Sequence, residues 1–200
     1  MFDEKLKRLF SPNSIAVIGA SDSFDKLGYH VMKSLVKGNC KSPIYPVNPN
    51  GQNIWGIKTY PSLTSIPYPV DLAVIVVPAN SVPGVLYECG KKGINGVVLI
   101  TAGYKEIEAE EGKILEEEVK RIATEFEIPI IGPNTFGFVN LTEGVNASFT
   151  YEFSLIKRGG SNPHKPKRWI LPHLRISCNG RKDGDGKTYE LREQGQHRFP

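Results

Sequence analysis

Two stretches, VDLAVIVVP (70–78) and NGVVLITAG (95–103), are apolar on consecutive residues instead of alternate ones. A strand with one wet face alternates, so a continuous apolar run of this length predicts a strand covered on both faces. Such strands need helices above and below them. The intervening sequence supplies these: SVPGVLYECGKKG (81–93) predicts a helix with Ser81 as N-cap and Pro83 in its first turn.

The same alternation runs through the first 150 residues. SIAVIGA (14–20), SPIYPV (42–47) and IPIIGPN (128–134) predict further strands. GYHVMKSLVKG (28–38) predicts a helix with Val31, Leu35 and Val36 near one face. EIEAEEGKILEEEVKRIATEF (106–126) predicts another, with an apolar stripe of Ile107, Ile114, Leu115, Val119, Ile122 and Phe126. Its glutamates come early and Lys120 and Arg121 late, which suits the helix dipole. The expected fold is α/β and doubly wound, with a mostly parallel sheet.

Residues 159–200 differ in kind. They are polar, basic, broken by Pro and Gly, and follow neither period, which predicts an irregular basic tail. Residues 1–150 hold 14 Lys and Arg against 16 Asp and Glu, while residues 151–200 hold 11 against 5. The basic balance therefore belongs to the tail and argues against nucleic-acid binding by the folded part. A nucleic-acid protein acting through that tail is the least favoured reading. Cys40, Cys89 and Cys178 are isolated, without metal-ligand spacing, and fit a reducing cytoplasm. No run of about 18 apolar residues predicts a membrane span, and MFDEKLKRLF is no signal peptide.

In an open α/β sheet, ligands bind beyond the carboxyl ends of the strands. Each predicted strand here ends in small, Pro-fixed or hydroxyl and amide residues. They are Gly19-Ala20-Ser21, Val47-Asn48-Pro49, Val77-Pro78-Ala79, Thr101-Ala102-Gly103 and Gly132-Pro133-Asn134. The first leads toward a helix N-terminus, which suits a phosphate. Tight turns need such residues anyway, but five at one edge point to a site. AVIGASDSFDKLGY lacks the G-x-G-x-x-G spacing, with Gly28 nine residues past Gly19 as a helix-entry glycine. An NAD site also needs an acid on the second strand to hold the ribose, and none stands between Ile44 and Tyr60. His30 is the only histidine in this part and reads as a surface or core residue, so no catalytic or metal constellation is expected. Glu106 could bring one carboxylate near the Thr101 turn.

SIAVIGASDSFDKLGY, IYPVNPN, VDLAVIVVPANSVP, GVVLITAGYKE and IIGPNTFGFVN, in this order over about residues 8–158, resemble the N-terminal CoA-binding domain of ADP-forming acetate–CoA ligases. That domain is similar to the one in the succinyl-CoA ligase alpha subunit. The resemblance implies a Rossmann-like fold over residues 1–158 and coenzyme A as ligand. Gly19, Ala20 and Ser21 would lie against its phosphate or ribose, and Val47, Asn48 and Pro49 would border the adenosine. Val77 and Pro78 would flank the adenine, Thr101, Ala102 and Gly103 would line the pantetheine, and Pro133 and Asn134 would close the site. The family commonly carries a Lys after the Asn-Pro, where Asn50 stands here. Either that phosphate contact is missing or Lys26 supplies it.

The resemblance also implies a phosphohistidine domain and an ADP-binding domain that this sequence does not reach. A CoA- or acyl-CoA-binding module that is not catalytic alone is therefore expected, with self-association or a ligase partner subunit. The alternative is an NAD(P)-binding Rossmann protein, a redox sensor or dehydrogenase fragment. The tail itself fits a lost reading frame. Translated back to degenerate codons and read one base later, SNPHKPKRWILPHL admits VTLISQSGGFCHI, and TYELREQGQHRF admits MSLGNRVNIDF. Both strings resemble the family's next domain, which places departure from the ancestral frame near Gly160.

Overall fold

The computed structural model describes residues 2–38, 40–50, 53–103 and 110–155, together with the backbone of 169–170, 174–177 and 189–191. In chain order the elements are α1 (Phe2–Phe10), β1 (Ile15–Ile18), α2 (Leu27–Lys37), β2 (Ile44–Val47), β3 (Leu72–Ile75), α3 (Val82–Lys92), β4 (Gly96–Leu99), α4 (Glu110–Glu125) and β5 (Ile130–Ile131). Then come β6 (Gly137–Asn140), β7 (Val145–Ser148), a 3-10 turn at Tyr151–Leu155, and short strands β8 (Trp169–Ile170), β9 (Leu174–Ser177) and β10 (Tyr189–Leu191).

Strands β2, β1, β3, β4 and β5 lie side by side in that order and all run parallel. β9 and β10 continue the sheet antiparallel beyond β5. The two-sided burial expected of β3 and β4 is what the structure shows: every residue of β1, β3 and β4 is buried. Alternate residues feed different clusters. Ile18, Ala73, Ile75, Val97, Leu99 and Ile130 pack with Val82, Leu86 and Cys89 of α3 and with Val119 and Ile122 of α4. Ile15, Val17, Leu72, Val74, Val98 and Ile131 pack instead with Leu9 of α1, with Val31, Met32 and Leu35 of α2, and with Phe138 and Val145 of the β6–β7 hairpin. Both faces of the sheet are thus covered, and each buried side chain removes apolar surface from water.

Three details depart from expectation. Ser81 precedes α3 but caps nothing with its side chain, because it ends a 3-10 turn in helical conformation (φ −87°, ψ −14°). Ile114 is 57 % exposed. The buried stripe of α4 runs through Leu115, Val119, Ile122 and Phe126, and Ile114 lies one residue, about 100° of helical rotation, away from Leu115. Ile107 and Glu106 lie outside the described residues. Thirdly, no basic residue of α4 sits in its last turn. The cation comes from α1, where Lys5 Nζ donates to the carbonyls of Phe126 at 3.0 Å and Glu127 at 2.8 Å, the place where a positive charge meets the negative end of the helix.

Candidate functional site

β1 lies between β2 and β3, so the chain leaves β1 toward one neighbour and later returns on the other side. This reversal is the switch point where an open α/β sheet leaves a crevice beyond its strand ends. The five expected turns all follow the carboxyl ends of these parallel strands.

The first turn is set by glycine. Gly19 has φ +93°, donates its N–H to the Val47 carbonyl at 3.0 Å, and leaves no room for a side chain beside the Val76 carbonyl. Gly28, the second residue of α2, is buried, and a Cβ there would run into the Gly19 carbonyl. Gly28 therefore sits at the helix entry, as read from sequence, and also lets α2 close onto the β1 turn. Ala20 and Ser21 are buried, and the Ser21 hydroxyl accepts the Ser23 N–H at 3.0 Å. Lys26 occupies the N-cap of α2 in extended conformation, exposed and with no side-chain cap bond. No acid lies in the first turn of α2, so its free N–H groups and partial positive charge remain available to an anion.

The other turns are tied to one another by polar groups. Asn48 Nδ2 donates to the Ala20 carbonyl at 2.8 Å while its Oδ1 accepts the Asn50 N–H at 2.9 Å. Thr101 Oγ1 donates to the Val77 carbonyl at 2.7 Å, and the Asn134 N–H donates to the Thr101 carbonyl at 3.1 Å. Val47 is buried, Val77 and Pro133 are half-buried, and Pro49, Pro78, Ala102 and Asn134 are exposed at this edge. A Cβ on Gly103 (φ +107°) would press on Ala79, and one on Gly132 (φ +114°) would run into the Leu99 carbonyl. The side chains of Asn48 and Thr101 thus hold the edge together; the surface they leave consists of backbone, prolines and small residues. Three strand spacings of about 4.8 Å separate β1 from β5, so the Pro133–Asn134 turn lies roughly 14 Å from the Gly19 turn.

One feature of this edge has no clear signal in the sequence. Asp22, directly after Ser21, accepts the Trp55 backbone N–H on Oδ1 at 3.0 Å. The Trp55 ring packs against Tyr29 at 5.1 Å, and Tyr29 and His30 meet Phe24 edge-on. His30 is half-buried in this aromatic group. Among the described residues no His, Cys, Asp and Glu group could hold a metal, and no helix is long and apolar enough to cross a membrane.

Residues 13–140 match the family described as CoA binding domain. The chain belongs to the CoA-binding domain family. Over 165 residues it is 46 % identical to the acetate–CoA ligase [ADP-forming] of Methanocaldococcus jannaschii, covering 80 % of this chain and 23 % of that protein. It is 48 % identical over 144 residues to the acetate–CoA ligase [ADP-forming] II subunit alpha of Pyrococcus furiosus, covering 72 % of this chain and 31 % of the subunit. The dinucleotide forming acetyl-coenzyme A synthetase 1 of Ca. Korarchaeum cryptofilum, solved with phosphate and ADP, superposes with a TM-score of 0.69 at 40 % identity, covering 74 % of this chain and 31 % of that one. This CoA-binding domain therefore spans about a quarter to a third of the length of these relatives. The family resemblance and the Rossmann-like fold expected from sequence are both borne out.

Proposed function

We propose that the chain binds coenzyme A along the carboxyl edge of its sheet and supplies the CoA-binding step of an acid–CoA ligation. CoA is then a substrate of the assembled ligase, not a resident cofactor. The observation that carries this reading is the row of five turns at one sheet edge, those after β2 and β1 bonded to each other and those after β3, β4 and β5 bonded in series, beside an uncapped helix N-terminus. Gly19, Ala20, Ser21 and the start of α2, with Lys26, take the phosphates or ribose. Val47, Asn48 and Pro49 border the adenosine, and Val77 and Pro78 flank the adenine. Thr101, Ala102 and Gly103 run along the pantetheine, and Pro133 and Asn134 close the far end. From the Asn48 turn to the Asn134 turn the edge spans four strand spacings, roughly 19 Å, which suits so extended a ligand. The acid-free end of β2 disfavours the ribose contact that an NAD site makes. Two relatives are named as alpha subunits, so the partner proposed is a complementary ligase subunit, with self-association in its absence.

Thermal unfolding with CoA and with NAD(H) tests the reading. A ligand that binds only the folded state at about 100 times its Kd adds about 2.7 kcal/mol of stability. CoA should raise Tm by several degrees and NAD(H) should not. Stabilisation by NAD(H) with none by CoA would overturn it.

A further inference from the structure

Ile54 and Ile57 exchange two backbone hydrogen bonds, Ile54 N–H to the Ile57 carbonyl at 3.1 Å and the reverse at 2.9 Å. The two residues between them both have positive φ, Trp55 at +54° and Gly56 at +72°. Mirror-image hairpin turns of this kind favour Asn, Asp or Gly at both central positions. A bulky aromatic residue in left-handed conformation persists only where its surroundings hold it. Besides its packing on the core, Trp55 has two specific contacts: Asp22 accepts its N–H, and Tyr29, in the first turn of α2, packs on its ring. Both come from the segment that forms the proposed phosphate turn and its helix.

We propose that Asp22 is a positioning residue for anion binding: it latches the Trp55 turn onto the phosphate turn through its hydrogen bond, while its own negative charge opposes the ligand. This rests on the CoA reading above. An acid one residue past Ser21 is electrostatically wrong for a phosphate site, and Asp25 adds a like charge with Lys26 beside it. Among the described residues the carboxylate's one hydrogen bond is the one to Trp55. The two contributions have opposite signs, and two substitutions separate them. Asp22→Asn keeps an acceptor oxygen and removes the charge. Asp22→Ala removes both.

The test uses the whole chain in a Trp169→Phe background, so that Trp55 is the only tryptophan. Emission from Trp55 without ligand reads the latch, and CoA titration at low and high salt reads the charge. Asp22→Ala should shift Trp55 emission and weaken CoA binding by about tenfold. Asp22→Asn should leave the emission unchanged and bind CoA about two- to fivefold tighter at low salt, a gain that shrinks as salt screens it. Equal losses in both variants, or no effect of Asp22→Ala on emission, would overturn the proposal. If CoA does not bind the parent protein, the CoA reading fails. A Trp55 emission shift confined to Asp22→Ala would then still support the latch, and its absence would overturn it.

Discussion

The side-chain amide of Asn48 donates to the Ala20 carbonyl at 2.8 Å, joining the turn after β2 to the turn after β1 across 28 residues of sequence. The same side chain closes its own loop by accepting the Asn50 N–H. Removing it loosens both turns at once. Asn48→Ala should cost about 1–2 kcal/mol in urea unfolding and weaken CoA binding measured by calorimetry. Asn48→Asp keeps the acceptor for Asn50 but offers no donor to Ala20, so it should recover little of the loss. An Asn48→Asp protein with full affinity would show that the inter-turn bond is not what matters.

Gly28 faces the Gly19 carbonyl with no room for a side chain between them. In Gly28→Ala the new methyl meets the Gly19 carbonyl, a backbone atom with no rotamer to change. Overpacking of this kind costs about 1–3 kcal/mol. The expected result is a lower Tm together with loss of CoA binding, because α2 must move off the turn proposed to hold the phosphate. Gly84→Ala is the control: it lies in α3, where an added Cβ meets nothing within 4 Å.

Cys89 is fully buried, and burial pushes its thiol above the ordinary value of 9.0, with the nearby Glu88 charge adding to the effect. Cys40 is raised from 9.0 as well, mainly by burial. The folded state holds these protons more tightly than the unfolded chain. Their contribution to stability is complete below the unfolded value and falls as pH rises above it. Unfolding free energy should therefore decline above about pH 9, by about 1.4 kcal/mol per pH unit for Cys89, with Cys40 adding in the same direction. Tyr45, raised from 10.0 mainly by burial, adds to the decline at higher pH. Cys89→Val should remove one thiol's share of the slope. Denaturant titrations at about pH 8 and about pH 10 measure it, and an unchanged slope in the variant would contradict the assignment.

The coding sequence decides the nature of the tail. Read one base later from near Gly160, it should encode VTLISQSGGFCHI and then MSLGNRVNIDF. Trp169-Ile170 already requires GGA, a glycine codon, at one position of the first string. Any other translation in that frame would end the idea.

The parts of the fold most visible in the sequence were those set by local chemistry. Consecutive apolar residues at 72–75 and 96–99 mark strands covered on both faces because no other arrangement hides both sides of a strand. Helix α1 and the β6–β7 hairpin were not legible. α1 is nine residues long and is held by Leu9 beneath Gly96 and by Lys5 on the far end of α4. The hairpin is secured by Asn140, whose amide reaches the Phe10 carbonyl 130 residues away. Leu6, Leu9 and Phe10 do give α1 a helical stripe, but nine residues are too few for that stripe to decide a helix by itself, so both elements depend on distant partners.

The candidate site divides along the same line. Glycines, prolines and small residues at five strand ends announced by themselves a backbone-lined edge, since those residue types permit close approach and fixed turns. The roles within it came only from the tertiary structure. Asn48 and Thr101, expected at the ligand, spend their polar groups joining the turns, and Asp22 and Trp55, separated by 33 residues, meet beside them. Turn chemistry depends on each residue's own backbone, so the sequence states it. Which hydrogen-bond partner a side chain finds depends on how parallel strands place distant turns side by side, and only the folded sheet decides that.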